Sequence, residues 1–460
     1  MRIDPVIFRQ YDIRGTVGVD LTPAVALAVG RALAAEALER LGRCPRLAVG
    51  RDNRPSGEDL SAALIEGLLA GGADVLSVGL VPTPTLYFAV EHLSADGGVQ
   101  VTGSHNPPQF NGFKMVLSGL PLAGPDIQEL RRRIEADRWS LGSGRKSELV
   151  VLRDYQDDVV RRVGRLTRSV KVAVDCGNGT ASVAAPPLLR ALGAEVAELY
   201  CESDGSFPNH HPDPTIPDNL SDLISLVKRG GIELGIAFDG DADRIGAVDE
   251  NGAILFGDQL LVLFGRDLVR RLGRGREVIF DVKCSDALPI ALEQAGARAT
   301  MWMTGHSNIK RKMKESGASL AGEMSGHMFF GPPDYLGFDD AIFAAARLLK
   351  ILSDAAAPLS GLLADVPKYV STPEIRVDCP ERRQAAVVAA AAAHFGARYP
   401  TVTIDGVRWR AHAGWGLIRA SNTQPILVLR FEAPTAEALQ RIRGEAAQVL
   451  ATEGVSVPET

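Results

Sequence analysis

One arrangement of residues occurs three times along the chain and limits what it can fold into. An aliphatic run, Arg46-Leu47-Ala48-Val49-Gly50, gives way to a polar loop (51–57), a helical pattern over 58–70, then Gly72-Ala73 and a second apolar run to 79. The order recurs as 171–174, 175–179, 180–192 and Gly193-Ala194, and again as 277–280, 281–285, 286–295 and Gly296-Ala297. Glycine past each helix suits a left-handed C-cap, and strand, helix and strand in succession call for right-handed parallel crossovers. The expectation is three tandem related α/β domains with mixed, largely parallel sheets. Ligands of such sheets bind outside the carboxyl ends of the strands, where all three first loops are polar.

After residue 366 the pattern changes. Runs at 402–404 and 407–410 flank Asp405-Gly406, a hairpin signal, and runs at 416–420 and 426–432 flank a polar loop. With amphipathic helices at 381–396 and 435–452 this reads as a smaller, antiparallel α+β domain. Domains are expected at 1–150, 151–253, 254–366 and 367–460, with linkers near 140–150, 250–255 and 364–373. The 460 residues suffice for three or four domains of ~100–200 each.

A net charge of -6 argues against nucleic acid or an anionic membrane as partner. No apolar run reaches the ~18 residues of a membrane span, since the alanine-rich 385–393 stops at His394. Asp4 and Arg9 so early are foreign to a signal peptide. Five scattered cysteines form no CxxC pair and read as reduced thiols of a cytoplasmic protein.

Four loops carry chemistry. In Thr102-Gly103-Ser104-His105-Asn106-Pro107-Pro108 the Asn-Pro and Pro-Pro steps can continue neither a helix nor a central strand, so the Ser104 hydroxyl stands on a rigid turn at a strand end. No Gly-x-Ser-x-Gly elbow is present, and the adjacent His105 is badly placed as the base of a Ser-His-Asp triad. Asp239-Gly240-Asp241-Ala242-Asp243-Arg244 follows an apolar strand at 234–237. Its carboxylates would repel by about 4 kcal/mol per pair at ~4 Å and an effective dielectric of 20, so a bound cation is the natural compensation. Oxygen ligands imply Mg²⁺ or Ca²⁺. An EF-hand fits Asp239, Asp241, Asp243 and Glu250 but fails at Arg244, which occupies the place of the turn glycine, and a strand precedes the loop. Gly322-Glu323-Met324-Ser325-Gly326-His327 offers groups for sugar hydroxyls. Arg419-Ala420-Ser421-Asn422-Thr423-Gln424-Pro425 offers a guanidinium fork, hydroxyls and an amide for a phosphate. Taken singly, each loop also fits a solvated polar turn.

Taken together, Thr-Gly-Ser-His-Asn-Pro, Asp-Gly-Asp-Ala-Asp-Arg, Gly-Glu-Met-Ser-Gly-His and Arg-Ala-Ser-Asn-Thr-Gln-Pro resemble, in order and spacing, the α-D-phosphohexomutase family. The likeness spans essentially the whole chain. Met324 resembles the phosphomannomutase/phosphoglucomutase branch, the glucosamine branch usually carrying Gln there; Ala242 stands where many members have Gly. The resemblance implies four domains around a central cleft and an isomerase, an intramolecular phosphotransferase interconverting hexose 1- and 6-phosphates of mannose or glucose through a hexose 1,6-bisphosphate. Ser104 would carry the phosphoryl group, and Asp239, Asp241 and Asp243 would hold Mg²⁺ together with an oxygen of the phosphorylated Ser104. Glu323 and Ser325 would bind sugar hydroxyls, and Arg419, Ser421, Asn422 and Thr423 the non-reacting phosphate. Tyr11, Arg14, His105, Lys114, Arg244, Lys283, His306 and His327 resemble supporting positions, with Arg14, Lys114 and His327 the candidates for moving protons. Sugar phosphates are the expected partners, and a monomer is plausible. The alternatives are a phosphoglucosamine mutase, a catalytically silent sugar-phosphate-binding protein, and a metal-dependent phosphomonoesterase.

Overall fold

The computed structural model describes residues 3–139, 141–421 and 424–458. Among these residues the strands form four sheets. The first runs in the order Ile13–Thr16, Phe110–Leu117, Gly97–Val101, Arg46–Arg51, Asp74–Leu80, Lys146–Glu148, with Leu120–Pro121 beside Phe110–Leu117. Arg46–Arg51 pairs parallel with both neighbours, as the crossover through helix Gly57–Ala70 requires, while Phe110–Leu117 is antiparallel to both of its own. The second sheet repeats this plan with Glu195–Leu199, Lys171–Asp175 and Leu234–Phe238 parallel and Ile245–Asp249 antiparallel. The third does so with Arg298–Trp302, Glu277–Asp281 and Leu320–Gly322 parallel and Met328–Phe330 antiparallel. Helices Ala181–Leu192 and Ala287–Ala295 end on left-handed Gly193 and Gly296, as their sequence pattern requires. The fourth sheet is antiparallel throughout, covered by helices Glu381–Gly396 and Ala436–Thr452.

Three expectations need correction. Lys146–Glu148 lies in the expected 140–150 linker but forms an edge strand parallel to Asp74–Leu80, with all three side chains exposed, as an unprotected edge needs. Within 364–373, Val370–Ser371 likewise pairs with Ile426–Ala433. The Asp405-Gly406 hairpin is longer than two residues: Thr401 and Val402 pair with Trp409 and Arg408, leaving Ile404 outside the ladder. Ile404 packs instead against the cluster of Val282, Trp415 and Leu417 between the third and fourth sheets, where burial outweighs ladder bonds.

The largest hydrophobic cluster joins the second and third sheets through helix Ala341–Asp354, so these two units share a core. Among the described residues no helix is long and apolar enough to cross a membrane, and all five cysteines are free thiols.

Asp340 caps that shared helix. Its carboxylate accepts from Phe343 N at 2.8 Å, Tyr155 Oη at 3.0 Å and Tyr335 Oη at 2.9 Å, yet burial pushes its pKa up to about 6. A raised carboxyl pKa makes the folded state prefer the neutral acid, so this contribution is complete below pH ~4 and is lost as pH rises through ~6. Asp340→Asn stays neutral. Its stability relative to the parent should therefore rise between pH 4 and 7 by up to ~3 kcal/mol in urea unfolding, each tenfold change in proton affinity being worth ~1.4 kcal/mol. A difference that does not change with pH would show that Asp340 titrates as an exposed carboxylate does.

Candidate active site

Strand Gly97–Val101 is buried at every residue and delivers the chain to the Ser104 turn at its carboxyl end. There Thr102 Oγ1 accepts from Ser104 N at 2.9 Å and donates to Asp52 Oδ2 at 2.7 Å. Arg54, fully buried, commits its side-chain donors to five hydrogen bonds, four of them to carbonyls of this turn. Nε reaches Asp52 Oδ2, Nη1 the carbonyls of Pro107 and Phe110, and Nη2 the carbonyls of Ser104 and Asn106. The turn is thus held by a rigid planar fork, and Ser104 is kept at φ 51, in the left-handed region. Its hydroxyl lies 3.0 Å from Asp239 Oδ2 and 3.1 Å from His105 Nδ1. The left-handed turn folds the two side chains together. Burial and the charges of Arg244, Arg14 and Lys114 hold that imidazole well below its ordinary pKa, so it is neutral.

The aspartate loop meets this hydroxyl from the second sheet. Strand Leu234–Phe238 is wholly buried and ends at Asp239, whose Oδ1 accepts from the amides of Asp243 and Arg244 at 3.1 Å each. A Cβ on Gly240 would lie 2.5 Å from Ser104 O, so only glycine lets the two loops touch. Ala242 occupies φ 63 without exposure, a strained conformation that glycine would relieve. Asp239, Asp241 and Asp243 are buried, with one oxygen of each within 4.8 Å of the others. Lys114 Nζ binds Asp241 Oδ2 at 2.7 Å and also Asp243, and Thr83 Oγ1 donates to Asp241. Burial favours the neutral amine, but Asp241 and Asp243 outweigh it and raise the Lys114 pKa. Burial and the charges of Asp243 and Asp241 push Asp239 well above the usual carboxylate range. Asp241 Oδ1 and Asp243 Oδ1 are buried without a hydrogen-bond partner. Two orphaned anionic oxygens and a carboxyl forced towards its neutral form are what an oxygen-ligated divalent cation would satisfy, and the trio fits one.

From the third sheet, Leu320–Gly322 leads into Glu323, whose Oε1 accepts from Gly305 N at 2.6 Å. Burial pushes its carboxyl up against the pull of His327. Ser325 is half-buried on the same turn. The turn is pinned to the aspartate loop by a bridge between Arg244 and His327, whose Nε2 accepts from Arg244 Nε at 3.0 Å. The ring proton then belongs on Nδ1, 3.2 Å from Asp339 Oδ2. Lys310 Nζ holds the other Asp339 oxygen at 2.8 Å. His306 stacks on His327 with centroids 5.5 Å apart and meets Tyr11 in a T-shaped contact; burial and Lys310 hold its pKa well down. Arg14 pairs with Asp12 at 2.5 Å, and its charge is among those that lower His105 and Asp241.

The fourth sheet supplies Arg419, buried at the end of Gly414–Ala420, with Nε 2.9 Å from Asp405 Oδ2. Ser421 follows it, its Oγ accepting from Gln424 N at 3.2 Å. Asn422 and Thr423 lie outside the described residues. Lys283 Nζ stands 3.3 Å from Glu374 Oε2 and holds that carboxyl down to about 2. Tyr11 donates to Thr304 O at 2.9 Å, tying the first unit to the third. Ser104, His105, Lys114, the three aspartates, Arg244, His306, His327 and Tyr11 thus meet in one contiguous network, and Thr304 joins Glu323, Lys283 and, through Asp405, Arg419 to it; Arg14 reaches it by charge alone, and Ser325 lies on the Glu323 turn.

Sequence reasoning missed Arg54, Asp52, Thr83, Lys310 and Asp339. Asp52-x-Arg54 does sit in the polar loop after the first strand, the one signal available, but a lone arginine is ordinarily a solvated side chain. The other three sit outside the four loops.

The chain matches the family models for phosphoglucomutase/phosphomannomutase alpha/beta/alpha domains I, II and III at residues 5–140, 153–252 and 256–369, and for the C-terminal domain at 374–449. It is 50% identical over 439 residues to a phosphomannomutase/phosphoglucomutase of Pseudomonas putida, covering 95% of this chain and 94% of the relative. It is 48% identical over 442 residues to a phosphoglucomutase of Neisseria gonorrhoeae, covering 95% of each. A crystal structure of a phosphoglucomutase/phosphomannomutase family protein from Burkholderia thailandensis superposes over 100% of both chains, with a TM-score of 0.92 and 43% identity.

Arg54→Met would leave Asp52 an unpaired buried charge and strip four loop carbonyls of their donors. It should cost about 3–5 kcal/mol in denaturant unfolding, as broken buried ion pairs do. A loss below ~1 kcal/mol would show that the guanidinium does not hold the turn.

Proposed function

The chain belongs to the phosphoglucomutase/phosphomannomutase family and is a hexose-phosphate mutase, and on that premise we propose that Ser104 is its phosphoryl carrier, acting on glucose and mannose phosphates. The observation that carries the reading is the Ser104 hydroxyl 3.0 Å from Asp239 Oδ2, at the edge of three buried carboxylates. Phosphoryl transfer is chiefly positioning and charge neutralisation, and this cluster supplies both.

Asp239, Asp241 and Asp243 would hold Mg²⁺ with an oxygen of the phosphorylated Ser104; when bound, the ion neutralises charge on the transferring group and eases its departure. Lys114 and Arg244 stay charged beside that group, since the carboxylates around them raise both pKa values against the effect of burial. Arg14 carries a guanidinium, which offers donors and no acceptor. None of the three is therefore suited to accept a proton, which falls to His327. Arg244 donates to its Nε2, which leaves the proton on Nδ1 facing Asp339 and makes Nε2 the basic nitrogen. Glu323 and Ser325 would orient the sugar through its hydroxyls. Arg419, Ser421, Asn422 and Thr423 would grip the far phosphate.

A single Ser104 turn and a single Arg419 loop must serve both ends of one sugar. The phosphorylated serine therefore first phosphorylates the free end, giving a hexose 1,6-bisphosphate, which turns around before it returns a phosphoryl group. The same compound would serve as activator by rephosphorylating enzyme that has lost its group. All four loops come from one chain, in keeping with a monomer, and the five free thiols fit a cytoplasmic enzyme. We assign the domains to 1–150, 151–253, 254–366 and 367–460, the family-model ranges falling within them but for residues 367–369. Met324 in place of Gln speaks against a glucosamine substrate.

Mass spectrometry of active enzyme should find ~80 Da added on Ser104. Ser104→Ala should lower turnover by roughly a thousandfold or more, ~4 kcal/mol in the barrier; undiminished turnover would overturn the assignment. Thorough chelation should abolish activity and Mg²⁺ restore it, whereas indifference to chelation would remove the metal from the reading. Release of free phosphate in place of an isomerised sugar phosphate would mark a phosphomonoesterase.

A further inference from the structure

The Asp405-Gly406 turn, legible in the sequence as a hairpin signal, has no part in the chemistry above. One oxygen of Asp405, Oδ2, accepts two hydrogen bonds from different units: Arg419 Nε at 2.9 Å within the fourth, and Thr304 N at 2.9 Å in the third. The turn is built to reach Arg419. Gly406 has φ 77, and a Cβ there would lie 2.3 Å from Ile418 O and 2.7 Å from Arg419 Cα. Ile404, drawn out of the ladder, packs against the cluster of Val282, Trp415 and Leu417 and anchors the same turn to the third unit.

Thr304 is a junction of the sugar-facing side. Its carbonyl accepts from Tyr11 Oη at 2.9 Å, its hydroxyl donates to Asp281 Oδ2 at 2.9 Å, and the next amide, Gly305 N, donates to Glu323 Oε1 at 2.6 Å. A bond at Nε fixes the plane of a guanidinium and with it the direction its two Nη groups address. Through one oxygen, the orientation of Arg419 is therefore tied to the segment that positions Glu323.

We propose that Asp405 is a positioning residue that sets the Arg419 fork in register with the Glu323 loop, so that phosphate and sugar are gripped at a fixed separation. This rests on the reading of Arg419 as the phosphate anchor. It has a consequence opposite in sign to simple electrostatics. An anion beside an anion-binding arginine should weaken phosphate binding, and its removal should tighten it. A carboxylate that aims the arginine should instead lower KM, and removing it should raise KM.

The test is KM and kcat for glucose 1-phosphate and glucose 6-phosphate in the full-length enzyme carrying Asp405→Ala, Asp405→Asn or Arg419→Ala. Asp405→Ala should raise KM about tenfold in both directions, with a smaller effect on kcat. Asp405→Asn can keep its oxygen between Thr304 N and Arg419 Nε while losing the charge, so its KM should stay within about threefold of the parent. An unchanged or lower KM in Asp405→Ala, with Arg419→Ala raising KM, would overturn the register alone. A KM insensitive to Arg419→Ala would instead overturn the anchor reading on which it rests. If Asp405→Ala does not fold, Asp405→Ser, which is too short to span both partners, takes its place under the same expectation.

Discussion

Packing three carboxylates into a fully buried corner is the constraint around which this molecule is arranged. Asp239, Asp241 and Asp243 are fully buried within one tight turn, where Arg244 is the cation that their own unit sets beside them. Further compensation arrives from elsewhere: Lys114 and Thr83 from the first sheet's unit, and from the third His327, Asp339 and Lys310, which meet Arg244. A cluster whose charge is offset, even in part, only when several units meet couples the packing of the units to the building of the site. Charges aimed in advance at a buried point also stabilise a transferring phosphoryl group without reorganising at the moment of reaction.

The scaffold makes this possible through repetition. Each parallel sheet ends its central strands on the same side, so Ser104, Asp239 and Glu323 are delivered by equivalent carboxyl ends of Gly97–Val101, Leu234–Phe238 and Leu320–Gly322. The contacts between the loops are close enough to exclude side chains, as at Gly240 against Ser104 O. Buried arginines then stiffen what the strands only place. Arg54 does this for the Ser104 turn, and Arg408, with Nη1 on the carbonyls of Val282 and Cys284 and Nη2 on Asp286, seats the fourth unit on the third.

Much of this is legible in the sequence because it is local. Strand, polar loop, helix and glycine recur within about thirty residues, and period and capping chemistry suffice to read them. The four loops are legible because each concentrates unusual groups in a short span. What escapes is long-range. No local pattern says that Arg54 is buried under a loop fifty residues away or that Asp339 stands beside the ring of His327. Ile404 looks like a strand residue by its neighbours and leaves the strand only because Val282, from another unit, offers it a better place. Likewise, the left-handed backbone at Ser104, invisible in the residue types, brings His105 to the hydroxyl.

The central claim is that phosphate travels through Ser104 and not directly between two carbons of one sugar. Enzyme carrying isotopically labelled phosphate on Ser104, mixed with an excess of unlabelled glucose 1-phosphate and quenched within a single turnover, measures this most directly. The account predicts that the label leaves the protein and appears in glucose 1,6-bisphosphate and glucose 6-phosphate, while unlabelled phosphate from the substrate takes its place on Ser104. One equivalent of glucose 6-phosphate formed per enzyme with all the label still on the protein would contradict it.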